Sequence, residues 1–412
     1  MYVSSSRSSD AASGVPRRMA LRLVSGNVLA LGTVSLITDI SSEMVTAILP
    51  VYLVIGLGLN PLQFGLLDGL YQGVTALVRL AGGYFADRWR RLRLVAGSGY
   101  ALSAVAKLGL IAAGRSVPLL GVALAVDRIG KGLRTAPRDA LISLSSSPET
   151  QGSAFGIHRA MDTVGALAGP FVAFAVLGLT GDAFDAVFVV SFCVALLGLA
   201  VLVLFVREKP PAHVRPSAVP RIPVTGLLRL PAFRRVCAAA VPLSLATISD
   251  SFLFLLLQAR LDFDAGWFPL LPVGVAASFL VLAAPLGWLA DRVGRSRVLV
   301  GGYLAVIGCY LLLTAPGLPG PVVLVGVLVL RGVAYAATDG VLMALAGPLL
   351  PENLRASGLA LLQTGQALAA MAAAWLFGAV WTWLGPDLAV WSAVAALAAA
   401  VLVARPLLRG AS

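Results

Sequence analysis

Charge is what this sequence has little of: Asp, Glu, Lys and Arg make up 12% of 412 residues, against about 25% in a soluble domain. A chain that is 59% hydrophobic, with mean hydropathy +0.92, cannot hide its apolar surface in one water-soluble core. That excludes a soluble globular protein. Histidine is scarcer still, with two residues, and the three cysteines (Cys193, Cys237, Cys309) stand singly in apolar runs. Such spacing offers neither a metal motif nor a disulfide pair, so these thiols read as small core residues and no metal is expected. No Gly-rich loop ending in Lys-Ser/Thr occurs, which removes a nucleotide-driven pump. No nucleophile–base pair with recognisable spacing occurs either, so neither an enzyme nor a cofactor is expected. The net charge of +12 does not point to nucleic acid, because the basic residues sit in short loops between apolar runs.

What is present is a series of long apolar runs rich in Leu, Ala, Val and Gly, without the period-two alternation of a membrane barrel. A span needs about 20 apolar residues. Windows of that size place helices near 26–56, 61–86, 94–114, 117–145, 150–178 and 184–206, then 232–260, 266–290, 297–315, 320–350, 355–383 and 386–406. The expected fold is therefore all-α and integral to the membrane, with twelve transmembrane helices in two six-helix bundles. Arginines cluster at 88–93, 207–235 and 292–297, whereas the opposite loops hold Asp182, Asp185, Asp262, Asp264 and Asp387. The positive-inside rule then puts both termini in the cytoplasm, in a multi-pass protein of the inner membrane. The expected organisation is a cytoplasmic tail (1–24), a first bundle (25–206), a proline-rich linker (207–231) and a second bundle (232–412). The tail lacks a small-residue cleavage site and is not read as a signal peptide. No dimerisation face stands out, so a monomer is expected.

The halves repeat. "GGYFADRWRRLR" follows the second helix and "GWLADRVGRSR" the eighth, with Gly83 and Gly287, Asp87 and Asp291, and Arg88 and Arg292 in matching places. A charged turn recurring at the same point of both halves marks an internal duplication. Gly287, Asp291, Arg292, Gly294 and Arg295 form a signature that resembles the major facilitator superfamily, and the resemblance covers nearly the whole chain. The first copy departs from it, with Arg90 where the family prefers glycine. The resemblance implies a gating latch in which Asp87 meets the start of the eleventh helix near Ala356–Ser357, with Arg91 and Asp139 as charged neighbours. The plain alternative is that these charges only set topology. On the fifth helix, Gly156, Gly165, Gly169 and Pro170 are similar to the family's antiporter motif, which implies proton-driven efflux; its trailing glycine pair is absent. Close helix packing is the alternative.

The fourth helix carries "DRIGKGLRTAPRDALI", with six charged residues from Asp127 to Ile142. Arg128 and Gly132 match an arginine–glycine pair that the family ties to proton coupling. Asp127, Lys131, Arg134 and Arg138 fall on one helical face. A mid-membrane charge costs about 3 kcal/mol on insertion scales, so partners are expected, and Asp39 and Glu43 on the first helix and His158, Arg159 and Asp162 on the fifth supply candidates. These predict a buried network for proton coupling and translocation, with Asp39 as the favoured proton carrier and Arg128 as its partner; a packing lattice without a transport role is the alternative. In the second half, Asp250, Arg331, Tyr335, Asp339, Gln363 and Gln366 are expected to complete a substrate cavity, with aromatic help from Phe252, Phe254 and Trp375. The expected function is secondary active transport by alternating access. A proton-coupled antiporter exporting a drug-like compound, metabolite or metal ion is preferred, and a proton-coupled importer of a small solute is the alternative. The expected partners are a small-molecule or ion substrate, protons and the lipid bilayer.

Overall fold

The structure is a computed structural model that describes residues 25–88, 91–147, 150–208, 224–351 and 354–409; within these ranges the side chains of 76, 79–88, 224, 225 and 356 stand outside the description. Among the described residues there are helices and no strands. In chain order they are α1 (Gly26–Val51), α2 (Pro61–Arg88), α3 (Leu92–Ala113), α4 (Val117–Leu144), α5 (Gln151–Thr180), α6 (Phe184–Phe205), α7 (Pro231–Leu245), α8 (Asp250–Leu261), α9 (Leu270–Val293), α10 (Arg295–Thr314), α11 (Gly320–Ala346), α12 (Arg355–Leu384) and α13 (Pro386–Arg409).

Among the described residues, ten helical segments are long and apolar enough to cross a membrane, with α7 and α8 counted as one segment, Pro231–Leu261. The helices α2 and α4 are each 28 residues long but fall outside that set. In α4 the reason is the charged stretch already noted.

The expected seventh helix is continuous over 232–260; the structure breaks it. Pro242 interrupts the hydrogen-bond ladder inside α7, and α8 starts afresh after Ser249, whose hydroxyl accepts from the Phe252 N–H at 3.4 Å. The freed Ile248 N–H donates to the Tyr310 hydroxyl at 2.7 Å. Backbone groups left open in an apolar interior need such partners.

Helices α1–α6 pack mainly on one another, as do α7–α13, and the principal seam between the two sets is α2 against α12. That seam is very close: a Cβ on Gly65 would lie 2.5 Å from the Ala374 carbonyl oxygen, and one on Gly378 would lie 2.5 Å from that of Pro61. The Leu62 N–H donates to Thr382 Oγ1 at 2.9 Å and Trp375 Nε1 to the Leu66 carbonyl at 3.3 Å. Phe174 on α5 also meets Trp267 before α9, with ring centroids 5.1 Å apart. All these contacts lie at the end of the bundle opposite residues 25 and 409, where they hold the two sets of helices together.

Candidate functional site

A cavity of about 390 Å³ lies between the two sets of helices, at the level of the α7–α8 break. Five of the six residues expected to form the substrate cavity lie on its wall. Asp250 follows the break on α8, and Arg331, Tyr335 and Asp339 lie on α11. Arg331 Nε donates to Asp250 Oδ1 at 2.5 Å, the Tyr335 hydroxyl donates to Asp250 Oδ2 at 2.5 Å, and Arg331 Nη2 reaches Tyr335 at 3.4 Å. Arg331 and Tyr335 stand about one turn apart on one face of α11, and the broken seventh span brings the carboxylate to them. Gln366 also lines the cavity and reaches Ser244 Oγ at 3.5 Å. Gln363 does not: it is exposed, and its amide lies 3.7 Å from Met343 Sδ. The aromatics depart from expectation too. Phe252 packs between Phe64 and Phe377, Phe254 against Phe268, and Trp375 on the α2 seam.

The opposite wall comes from residues that sequence reasoning passed over, namely Thr46 on α1 and Asp68, Tyr71 and Gln72 on α2. Asp68 is 8% exposed and its Oδ2 has no hydrogen-bond partner among the described residues. The signal was present in "LQFGLLDGLYQG", where one carboxylate interrupts an otherwise uncharged run.

The first-half residues expected to form the coupling network gather elsewhere, between α1, α4 and α5, and none of Asp39, Glu43, Arg128, Lys131, His158, Arg159 or Asp162 lines the cavity. Asp39 does not pair with Arg128. It lies 3.8 Å from Arg134, while Arg128 closes on its neighbour Asp127 and stacks 4.0 Å over the Tyr71 ring. The reason is register: Arg134 sits six residues farther along α4, at the depth of Asp39, whereas Arg128 faces α2. Arg138 binds Asp139 at 3.1 Å, Ser35 Oγ at 2.9 Å and Asp162 at 3.7 Å. His158 is buried, 3.9 Å from Asp162, with neither ring nitrogen hydrogen-bonded among the described residues. Arg159 is exposed. Glu43 and Lys131 make no ion pair within 4 Å among the described residues.

A further buried cation was also missed. Lys107 on α3 is 2% exposed, and its ammonium donates to the Ser103 carbonyl at 3.1 Å. It borders a void of about 10 Å³ shared with Ser42, Asp127 and Arg128, about the room one water needs. Thr46 and Tyr71, hydrogen-bonded to each other at 3.0 Å, line both this void and the main cavity. A lone lysine in "YALSAVAKLGLIAAG" was its visible signal.

The motif residues divide. The side chains of Gly83, Asp87, Arg88 and Ala356 lie outside the described residues, and so does the latch assigned to them. Arg91 is exposed at the head of α3, whose first N–H groups are capped by the Glu208 carboxylate at 2.7 and 3.3 Å. Asp139 pairs with Arg138 and not with Arg91 among the described residues. In the second copy, Arg295 pairs with Asp291 at 3.1 Å and donates to the Ala344 carbonyl at 2.8 Å, while Arg292 stacks 3.8 Å over Trp288. Nothing lies within 4 Å of a Cβ built on Gly287. On α5, a Cβ on Gly165 would meet the Leu36 carbonyl oxygen at 2.5 Å and one on Gly169 the Ile40 oxygen at 2.8 Å, whereas Gly156 has open space. Two of the three motif glycines thus serve the α1–α5 contact beside the buried Pro170.

Comparison with known proteins fits this architecture. The family profile described as Major Facilitator Superfamily matches residues 31–284 and 270–410. An uncharacterized MFS-type transporter of Methanocaldococcus jannaschii is 32% identical over 370 residues, covering 87% of this chain and 89% of that protein. An uncharacterized protein of Mycobacterium tuberculosis is 31% identical over 206 residues, covering 48% of this chain and 47% of that one. Among solved structures, the nucleoside transporter NupG superposes with TM-score 0.73 at 14% identity, covering 93% of this chain and 98% of its own. A bacterial homologue of the human lysosomal transporter Spinster, inward-facing and occupied, gives 0.71 at 17%, covering 97% of each chain. The chain belongs to the Major Facilitator Superfamily and is a multi-pass membrane transporter, not an enzyme.

Proposed function

We propose that this secondary transporter is a proton-coupled antiporter that exports a small polar or charged molecule by alternating access. The observation that carries the reading is the cavity itself. It is lined by polar groups from both sets of helices and lies inward of a tightly packed α2–α12 seam. A packed seam at one end leaves approach from the other, and the arginine-rich loops there support reading that end as cytoplasmic. With α7 and α8 as one interrupted span and with α2 and α4 crossing despite their charge, the chain makes twelve crossings in two six-helix units, 25–206 and 232–412. The 207–231 linker lets them rock about the cavity. The Asp39–Arg134 and Arg138–Asp162 contacts form the network through which proton movement is coupled, beside the cavity and not in it. The gating motif and the α5 glycines keep the roles that the family resemblance implies, and the protein works as a monomer in the inner membrane.

The test is a proton-flux measurement in inverted membrane vesicles energised to an acidic interior, with amines, nucleosides and dipeptides added in turn. An exporter releases protons when its substrate is added, and Asp39→Asn abolishes that release without loss of protein from the membrane. Substrate accumulation that leaves the pH gradient untouched overturns the coupling.

A further inference from the structure

We propose that the cavity takes a small organic cation, an amine whose ammonium is held by Asp68. This rests on the cavity being the substrate site.

The argument is an account of charge on the walls. Four ionisable acidic or basic side chains line the cavity: Asp68, Asp250, Asp339 and Arg331. Arg331 is already engaged by Asp250, and both Asp250 oxygens are used, one by Arg331 and the other by Tyr335. Asp339 is exposed. Asp68 is the remaining buried group, 8% exposed, with Oδ2 lacking any hydrogen-bond partner among the described residues. A buried carboxylate oxygen with no donor is costly, and no lining lysine or second arginine relieves it.

The Ser249 and Ser251 hydroxyls at the start of α8 hydrogen-bond toward Asp68, and being neutral they leave its charge without a counter-ion. That helix N-terminus would ordinarily attract an anion. Here its first turn already holds Asp250 and its cap is Ser249, and Asp68 sits at the same end. An incoming anion would meet carboxylates, and a neutral ligand would leave the charge uncompensated. A bare metal ion fits poorly, because no three His, Cys, Asp or Glu side chains converge among the described residues. The cavity of about 390 Å³ also lies within the range of small-molecule sites. Phe64 and Tyr303 supply apolar surface on either side, and the hydroxyls of Thr46, Thr247 and Ser249 supply acceptors for the remaining N–H or O–H groups. The ligand described is thus an amine with an apolar body and hydroxyl or further N–H groups.

The test measures binding to the purified full-length protein in nanodiscs. The amines ethanolamine, octopamine and spermidine are compared with uridine, glycerol and succinate. At least one amine is expected to bind, and Asp68→Asn should weaken it by about 10- to 100-fold, the range of a hydrogen bond to a charged group. Ala370→Trp, which fills the cavity, should abolish binding. If uridine, glycerol or succinate binds in preference to every amine and Ala370→Trp still blocks it, the cation proposal fails while the cavity remains the site. Should amines bind undiminished to Ala370→Trp, the cavity reading itself fails. No amine binding at 10 mM, or equal amine binding by Asp68→Asn, overturns the proposal. Wild-type selectivity decides the matter on its own if Asp68→Asn does not fold.

Discussion

The two halves of the chain handle charge in opposite ways. In the first half, Arg128, Arg134 and Arg138 pair away from the cavity, with Asp127, Asp39, Asp139 and Asp162, where α4 packs on α1, α2 and α5. In the second half a single arginine, Arg331, is carried to the cavity wall and neutralised there by Asp250, whose other oxygen accepts from the Tyr335 hydroxyl. Many charges therefore make a lattice and few make a site. Every pair stays within its own set of helices; what separates them is whether the pair faces the cavity, as Arg331 and Asp250 do, or not. The comparison predicts that substitutions on the cavity wall strike transport first, whereas Arg138, which ties the first-half lattice together, strikes assembly first.

The largest expected effect is at Arg331. Replacing it with methionine leaves Asp250 facing the cavity without its cation, and breaking a buried pair from one side costs about 3–5 kcal/mol. Arg331→Met should lower the melting temperature in detergent and reduce transport at least 100-fold. Adding Asp250→Asn should restore much of the melting temperature and none of the transport. Recovery of transport in the double variant would make this trio a packing device only.

Next comes the α1–α5 contact. Gly169→Leu pushes a side chain into Glu43 Cβ at 2.7 Å and backbone at 2.8 Å, beyond what side-chain repacking absorbs. Overpacking commonly costs about 1–3 kcal/mol, and opposing backbone puts this case at the upper end. The yield of monodisperse protein should collapse. Gly156→Leu meets nothing within 4 Å and should leave yield unchanged. A normal yield with lost transport in Gly156→Leu would give the glycine series a role beyond packing.

Much of this was legible in the sequence. Helix positions follow from apolar length, because lipid leaves the backbone few options. The cluster on α4 was legible because charge in an apolar run has to be explained. Partner choice was not legible. Arg128 takes Asp127, its own neighbour, and Asp39 goes to Arg134, because depth along two tilted helices decides which groups meet, and spacing within one helix says nothing about that depth. The break between α7 and α8 was hidden for a related reason, since Pro242 alone does not reveal that Tyr310, far along the chain, will satisfy Ile248. Asp68 and Lys107 were overlooked because attention followed charge density, whereas a solitary ionisable residue in an apolar span carries the same physical demand.

Within the lattice, Arg138→Gln removes contacts to Asp139, Ser35 and Asp162. Arg138 is buried and multiply bonded, so the change should cost about 1.5–3 kcal/mol, read as a lower melting temperature. The apparent KM of transport should stay within about threefold of wild type if this arginine holds the frame and does not meet the ligand. A KM shift larger than the stability loss would move the first-half network into the binding site and erase the contrast between halves.

The smallest effect is expected at the second copy of the repeated turn. Arg295 and Asp291 are 39% and 67% exposed and lie one helical turn apart, and such pairs contribute about 0.3–0.5 kcal/mol. Arg295 also donates to the Ala344 carbonyl near the end of α11, where a cation meets the negative end of a helix, a contribution of about 0.3–1 kcal/mol at exposed sites. Arg295→Gln keeps a donor for that carbonyl and loses the charge, so its melting temperature should fall by no more than a degree or two. Stability is therefore the wrong place to look for the purpose of this turn. If the motif acts as a latch between helix ends, Arg295→Gln will slow transport by far more than its stability loss accounts for. If it only sets topology, rate and stability will fall together and both by little. Measuring the two on the same preparation separates a charge that moves with the transport cycle from one that merely faces the cytoplasm.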